Sequence, residues 1–203
     1  MTNIIVEIET LVKWQRVALA VFCTSSLAPV VTRFAQPITQ RTFTQGIEAA
    51  WNSVRVGSAD SHVAALRRTL DNLSEATCDD SNVPGYEVMR AIGALAGTLD
   101  AIMDESGQPA METCDIVTGS FSGFDHVMAY GNQARHIDPL NPPPPGRLEA
   151  MRLQGQQRAI ETMRTANHVG GQLVNALQDI GNQLTVEIEL VLPVYAQRRG
   201  WKL

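Results

Sequence analysis

Apolar residues recur at spacings of three and four along most of the chain, the repeat of one helix face, and this pattern divides the sequence into helices. After Asn3, a candidate N-cap, Ile8, Leu11, Trp14, Ala18 and Val21 fall on one stripe. Pro29 should interrupt or kink this first helix before residues 30–34, and Pro37 should stop it. A short second helix is predicted over 42–54 from Phe43, Ile47, Ala50 and Val54, with Trp51 beside them. Past the Gly57-Ser58 break, Asp60 can cap a third helix bearing Val63, Leu66, Leu70 and Leu73, which the polar turn Asp79-Asp80-Ser81-Asn82 ends.

The fourth helix, over 84–105, carries Val88, Ile92, Leu95, Leu99 and Ile102 as a seam suited to the centre of a bundle. Gly93 and Gly97 lie four apart and would let a neighbouring helix approach closely, at roughly 1 kcal/mol of helix propensity each against alanine. Gly107 closes this helix and Pro109 opens the fifth, which has Glu112 in its first turn and Cys114, Val117, Phe121, Phe124 and Met128 as its seam. So short a connection predicts an antiparallel pair. Residues 136–146 include "NPPPPGR", whose four prolines lack N–H groups and predict a stiff spacer. A long helix follows over 147–184, with Leu173, Leu177, Ile180 and Leu184 in line and Gly170-Gly171 as a bend. Its Gln- and Arg-rich first half, "RLQGQQRAIETMR", promises only a modest share of the core.

The tetrapeptide "VEIE" occurs at 6–9 and again at 186–189. In the first copy Ile5, Ile8 and Val12 continue the stripe toward Leu19 and Phe22, so a helix is expected. In the second, Val186, Ile188, Leu190 and Leu192 alternate strictly and Pro193 follows, which favours an extended tail over 185–203. Helical spacing through Leu184, Ile188, Val191 and Tyr195 is the competing reading. The expected fold is therefore an all-α, single-domain bundle of six or seven helices. Its core should hold Trp14, Trp51, Leu70, Ile92, Leu95, Leu99, Val117, Phe121 and Leu177.

Composition supports this picture: 203 residues that are 44% hydrophobic can bury a core without disulfides or metal. Cys23, Cys78 and Cys114 are far apart and odd in number, so no disulfide framework is encoded and a reducing cytoplasm is the expected setting. The longest purely apolar run, 17–23, is far short of the roughly 20 residues that span a bilayer, so no membrane span is expected. Lys13 and Arg16 before that run and Ser25, Ser26 and Ala28 after it imitate a signal peptide, but Glu7 and Glu9 upstream oppose one.

Charge is unevenly placed. Residues 60–130 hold twelve carboxylates against Arg67, Arg68 and Arg90, a net −9, while the rest of the chain carries +4 of the total −5. No Lys/Arg stripe of the kind phosphate contacts require is present, which argues against DNA or RNA as a ligand.

Catalytic signals are sparse. "GSFSG" at 119–123 has Phe121 where a nucleophile elbow needs serine, within a helical stretch. His62, His126, His136 and His168 are isolated from one another and from metal-ligand spacings, so no metal or cofactor is expected. Asp100 and Asp104 share a helix face, with Glu112 and Asp115 across the short turn. Such oxygens could take a hard cation, though solvated helix ends are the commoner outcome.

Three segments carry a resemblance: "LVKWQRVALAVFCTSSLAPVVTRF", "GIEAAWNSV" and "VPGYEVMRAIGALAGTLDAI". Their order and spacing resemble the YjaG-type family of small all-helical bacterial proteins of unknown function, with a weaker extension through "NPPPPGRLEAMRLQGQ". The resemblance implies an all-α fold and a bacterial cytoplasmic setting. It brings no catalytic residue, and the last helix of that family ends near Leu184, which favours the extended tail. The expected function is a non-enzymatic module that binds a basic protein, with an immunity protein neutralising a toxin domain as the concrete version. Asp79, Asp80, Asp100, Asp104, Glu105 and Glu112 are the expected partner-binding residues. Homo-oligomerisation is left open. The alternative is a carboxylate-dependent metal hydrolase built on Asp100, Asp104, Glu112 and Asp115.

Overall fold

The computed structural model describes residues 8–132, 143–166 and 170–201, and all regular structure among them is helical. In chain order the helices are α1 (Lys13–Ser25), α2 (Ala28–Phe34), α3 (Pro37–Val56), α4 (Val63–Asp71), a 3-10 turn (Ser74–Thr77), α5 (Pro84–Met103), α6 (Gln108–Tyr130), α7 (Arg147–Thr165) and α8 (Gly171–Arg198). The expected all-α bundle is what forms. Its seven principal helices follow if α1 and α2 count as one helix bent at Ser26 and Leu27, with Pro29 in the first turn of the second limb.

The most apolar segment forms the centre of the bundle. Helix α1 buries every residue from 17 to 24 and packs on α3, α5, α6, α7 and α8. Joined with α2, it is long and apolar enough to cross a bilayer, a reading that the 17–23 run alone did not suggest. Yet 72% of its most apolar window is buried against the other helices, so core packing accounts for that hydropathy. Thr24, in its last turn, donates to the Ala94 carbonyl (3.2 Å) and shares a 2.8 Å hydrogen bond with Thr98 of α5. These contacts satisfy hydroxyls that would otherwise be costly at this depth.

The antiparallel pair α5–α6 is the most extensive contact in the fold. Gly97 accounts for its closeness, because a Cβ there would come within 2.5 Å of Thr113 Oγ1. Gly93 does not, since its Cβ would sit 3.9 Å from Ile116 Cδ1, an ordinary contact. Gly107 turns the chain between the two helices at φ 81°, a conformation that favours glycine. The buried residues of all eight helices join one hydrophobic cluster.

Several local expectations change. The N-terminal stripe is broken: Ile8 and Leu11 are buried, but the chain turns at 10–12 and α1 begins at Lys13. Arg16 takes up the Leu11 carbonyl (Nη1, 3.1 Å), which supports the break. Trp14, expected in the core, is only half-buried at its edge. Of the first "VEIE", Ile8 and Glu9 are helical, while Val6 and Glu7, like Asn3 and Ile5, lie outside the described residues. Pro37 opens α3 five residues before the predicted start, because a first-turn position needs no N–H. The third helix ends at Asp71, and Leu73 reaches the core from the connection beyond it.

The long C-terminal helix is two helices, broken before Gly171. Helix α7 is less peripheral than its composition suggested: it buries Leu148, Ala159, Ile160 and Met163, together with Arg152 and Gln156. Asp125 of α6 caps it, accepting from the Leu148 (3.0 Å) and Glu149 (2.9 Å) amides, two of the first-turn N–H groups left without helical partners. Most of the proline-rich connector, 133–142, and His136 and His168 lie outside the described residues. Residues 143–146 are non-helical.

The expected extended tail is corrected. Helix α8 continues through the second "VEIE" and past Pro193 to Arg198. Leu184, Ile188, Leu192 and Tyr195 are buried at helical spacing, so tertiary packing overrides the alternating pattern. Pro193 removes only the hydrogen bond to the carbonyl of Glu189, an exposed residue. The end of the chain is pinned by Trp201, whose Nε1 donates to the Asn82 carbonyl (2.6 Å) and whose ring meets Phe34 and Tyr195 edge-on, each at 5.4 Å.

Candidate functional site

Helix α5 has 20 residues, and at 1.5 Å each that is about 30 Å of length. Asp79 and Asp80 precede its N-terminus, whereas Asp100, Asp104 and Glu105 are at its C-terminal end, with Glu112 at the start of α6. The six residues expected to form one partner-binding face therefore fall into two groups at opposite ends of α5. In the first group Asp80 Oδ1 accepts from Asn82 N (2.9 Å) and Nδ2 (3.1 Å), which shapes the turn before α5, and Asp79 is exposed.

In the second group Asp100 has an internal task. Arg67 of α4 donates from Nε to both its oxygens, at 2.9 and 3.0 Å, and from Nη1 to Asp71 at 2.5 Å, clamping α4 onto α5. The Arg67 and Asp100 side chains are 26% and 37% exposed, so solvent weakens the pair. Asp100→Asn is expected to cost less than about 1 kcal/mol in urea denaturation. A larger loss would mean that the clamp holds α4 in place.

The remaining acids of the corner are open to solvent. Asp104 accepts hydrogen bonds from the Ser106 hydroxyl and backbone amide, which hold its carboxyl below the usual range and keep it ionised at neutral pH. Glu105 pairs with Lys13 at 2.5 Å, yet its side chain remains 77% exposed. Glu112 accepts from Gln108 Nε2 at 2.8 Å, and Asp115 is exposed one turn further along α6. Met103, the last residue of α5 and next to Asp104 in the chain, is 48% exposed. No group of three or more His, Cys, Asp or Glu side chains among the described residues is close enough to hold a metal ion, so the carboxylates of the hydrolase alternative do not converge.

Two features escaped the sequence reading. On α8, Val186, Leu190 and Val194 are exposed by 54%, 67% and 41% at a spacing of four, an apolar stripe on its outer face. The competing helical reading of "VEIE" contained this signal, since burying Ile188 and Leu192 turns Val186, Leu190 and Val194 outward. The other is an open cavity of about 380 Å³ between α3 and α4, lined by Gln45, Glu48, Asn52, Asp60 and His62 among others. Asp60 Oδ1 accepts from the His62 backbone N–H (2.8 Å) and meets His62 Nδ1 at 3.0 Å, contacts that hold the Asp60 carboxyl below its usual range. An Asp–His pair resembles the base half of a catalytic triad, but Ser61 Oγ approaches the same Nδ1, at 3.4 Å, and not the outward nitrogen. The arrangement is a side-chain turn that leads into α4, Asp60 accepting from the amide two residues on, rather than a nucleophile with its base. "GSFSG" lies inside α6 with Phe121 fully buried, so it presents no nucleophile either.

No family model matches the sequence, and no curated protein does. Among solved structures, the crystal structure of a DUF416 family protein from Shewanella baltica OS155 is similar, with a TM-score of 0.67 and 14% identity, over 90% of this chain and 95% of that one. At that identity the likeness is one of fold: this chain shares the helical architecture of a DUF416 family protein along nearly its whole length.

Proposed function

We propose that this chain is a non-enzymatic protein-binding module whose partner is a basic protein, with neutralisation of a cationic toxin domain as the specific form. The observation that carries it is the α5–α6 corner, where Met103, Asp104 and Glu105 at the end of α5 and Glu112 near the start of α6 are all exposed. An apolar contact inside a polar rim is usual in protein interfaces, and charge on that rim steers encounter. Asp100 drops out of the face because Arg67 holds both its oxygens and leaves it 37% exposed, whereas Glu105 stays 77% exposed beside Lys13; Asp79 and Asp80 stand about 30 Å away by helix length. We further infer a cytoplasmic setting and a divergent place in the YjaG-type family. The three motif segments support that kinship, and the fold shared with a DUF416 family protein agrees with its all-helical architecture.

The test uses the basic protein recovered from host extract and the variant Asp104→Asn/Glu105→Gln/Glu112→Gln. Association should slow several-fold, and its salt dependence should flatten as the Debye length falls from about 10 Å at 0.1 M to 3 Å at 1 M, with dissociation little changed. An unchanged rate and salt slope would remove this corner and turn attention to the apolar stripe on α8.

A further inference from the structure

Arg152 is the largest fully buried side chain among the described residues, 2% exposed, and no carboxylate among them lies within ion-pair distance. An arginine stays protonated in a protein, and an uncompensated buried charge is strongly unfavourable. Its surroundings do little to offset that charge. Nη2 donates to the Cys114 carbonyl at 2.9 Å, Nε has no partner, and one turn along α7 both amide atoms of the buried Gln156 are also unpartnered. Two thiols also lie close: Cys23 Sγ of α1 is 3.9 Å from Nη2, and Cys114 Sγ of α6 is 3.7 Å from Cys23 Sγ. Three helices thus bring a guanidinium and two sulfurs together inside the core, from positions 23, 114 and 152 that the sequence keeps far apart.

We propose that Cys23 is the thiolate counter-ion of Arg152, and that Cys23 and Cys114 form an oxidisable couple which a small hydroperoxide closes to a disulfide. The hydrogen bond from the Cys114 thiol holds Cys23 below the usual cysteine range, with Arg152 adding to it, and burial opposes both. The same shared hydrogen bond and burial push Cys114 well up, so of the two thiols Cys23 is the one that ionises first; the exposed Asp115 acts in the same direction. Exposures of 1% and 3% favour an oxidant little larger than water over a bulky disulfide.

In the first step the Cys23 thiolate attacks one peroxide oxygen. An S–O bond forms, the O–O bond breaks, and the departing hydroxide, for hydrogen peroxide, takes back from solvent the proton that Cys23 gave up and leaves as water. In the second step Cys114 sulfur attacks the Cys23 sulfenic acid; the S–S bond forms, the S–O bond breaks, and the released hydroxide leaves as water with the Cys114 proton. One peroxide is reduced by two electrons, the dithiol is oxidised by two, and a dithiol reductant reverses the change. The sulfurs need to close by about 1.7 Å to reach the disulfide length.

The experiment uses the full chain, reduced. Its thiolate ultraviolet absorbance is followed across pH, and it is then treated with hydrogen peroxide and analysed by peptide mass spectrometry. One thiolate should ionise below the ordinary cysteine value of roughly 8.5. That step should vanish in Cys23→Ser and survive in Cys78→Ser. Peroxide should yield a Cys23–Cys114 linked peptide that dithiothreitol removes. Arg152→Met, checked for helicity by circular dichroism, should slow the linkage, and Arg152→Lys should restore part of the rate. The wild-type readouts do not depend on how Arg152→Met folds. A first thiolate step that persists in Cys23→Ser, or peroxide treatment that modifies Cys78 and leaves Cys23 and Cys114 unlinked, would overturn the assignment.

Discussion

Leu95→Ala should cost about 2–5 kcal/mol in urea denaturation, the largest loss expected from a single truncation in this fold. Leu95 is fully buried, in the middle of α5, and its two methyl groups face Gly46 of α3. A Cβ at Gly46 would lie 2.7 and 3.1 Å from those methyl groups, so the close crossing of α3 and α5 is set by the pair and not by either residue. Gly46→Ala alone should therefore cost about 1–3 kcal/mol through overpacking, despite the roughly 1 kcal/mol gained in helix propensity. In the Leu95→Ala background the same change fills vacated space and gains the propensity, so it should become stabilising. A double-mutant cycle measures this directly, with a coupling of about 0.5–3 kcal/mol expected. Additive costs would show that α3 and α5 relax independently.

The second large effect concerns Glu87, which is 8% exposed and accepts a 2.7 Å hydrogen bond from the Tyr195 hydroxyl. Burial raises its pKa against the opposing influence of the Tyr195 hydrogen bond and of Arg90 and Arg199. Tyr195 itself is pushed up by burial and then by the Glu87 charge, so the phenol stays the donor. A carboxyl whose folded pKa lies above its unfolded value binds more protons when folded. Its contribution to stability is present in full below the unfolded value, near 4.5, and is lost as pH rises through the folded value. Glu87→Gln keeps the acceptor oxygen without the charge. It should melt higher than wild type at pH 7, with the advantage vanishing toward pH 4. Tyr195→Phe retains the ring contact with Phe124 but strips the carboxylate of its hydrogen bond. The expected cost is about 1–3 kcal/mol at neutral pH, shrinking as Glu87 protonates. Equal losses at both pH values would indicate that the tyrosine acts through packing alone.

The helices were largely legible because their determinants are local. A seam such as Val88, Ile92, Leu95, Leu99 and Ile102 can bury itself only as a helix face, and all five residues are in the core. Prolines 29, 84 and 109 sit in first turns, where the missing N–H costs nothing, and Gly107 makes the turn its sequence position suggests. The antiparallel pairing of α5 with α6 follows from the length of the loop between them.

Where two local patterns competed, the contacts decided. The strict alternation of the second "VEIE" and its proline describe a strand, yet burying Ile188, Leu192 and Tyr195 against the bundle outweighs one hydrogen bond lost on the solvent side. The candidate site was legible only as a charge imbalance. Sequence distance could not show that Asp100 is held by Arg67, or that a whole helix separates Asp80 from Asp104, because both depend on how α4 and α5 pack. The Cys23, Cys114 and Arg152 cluster was still less accessible. Its members lie 91, 38 and 129 residues apart, and a pattern read along the chain carries no record of which distant side chains share one interior. Hydrophobic period fixes which face of each helix turns inward; only the packing of those faces determines which polar groups are carried in with them.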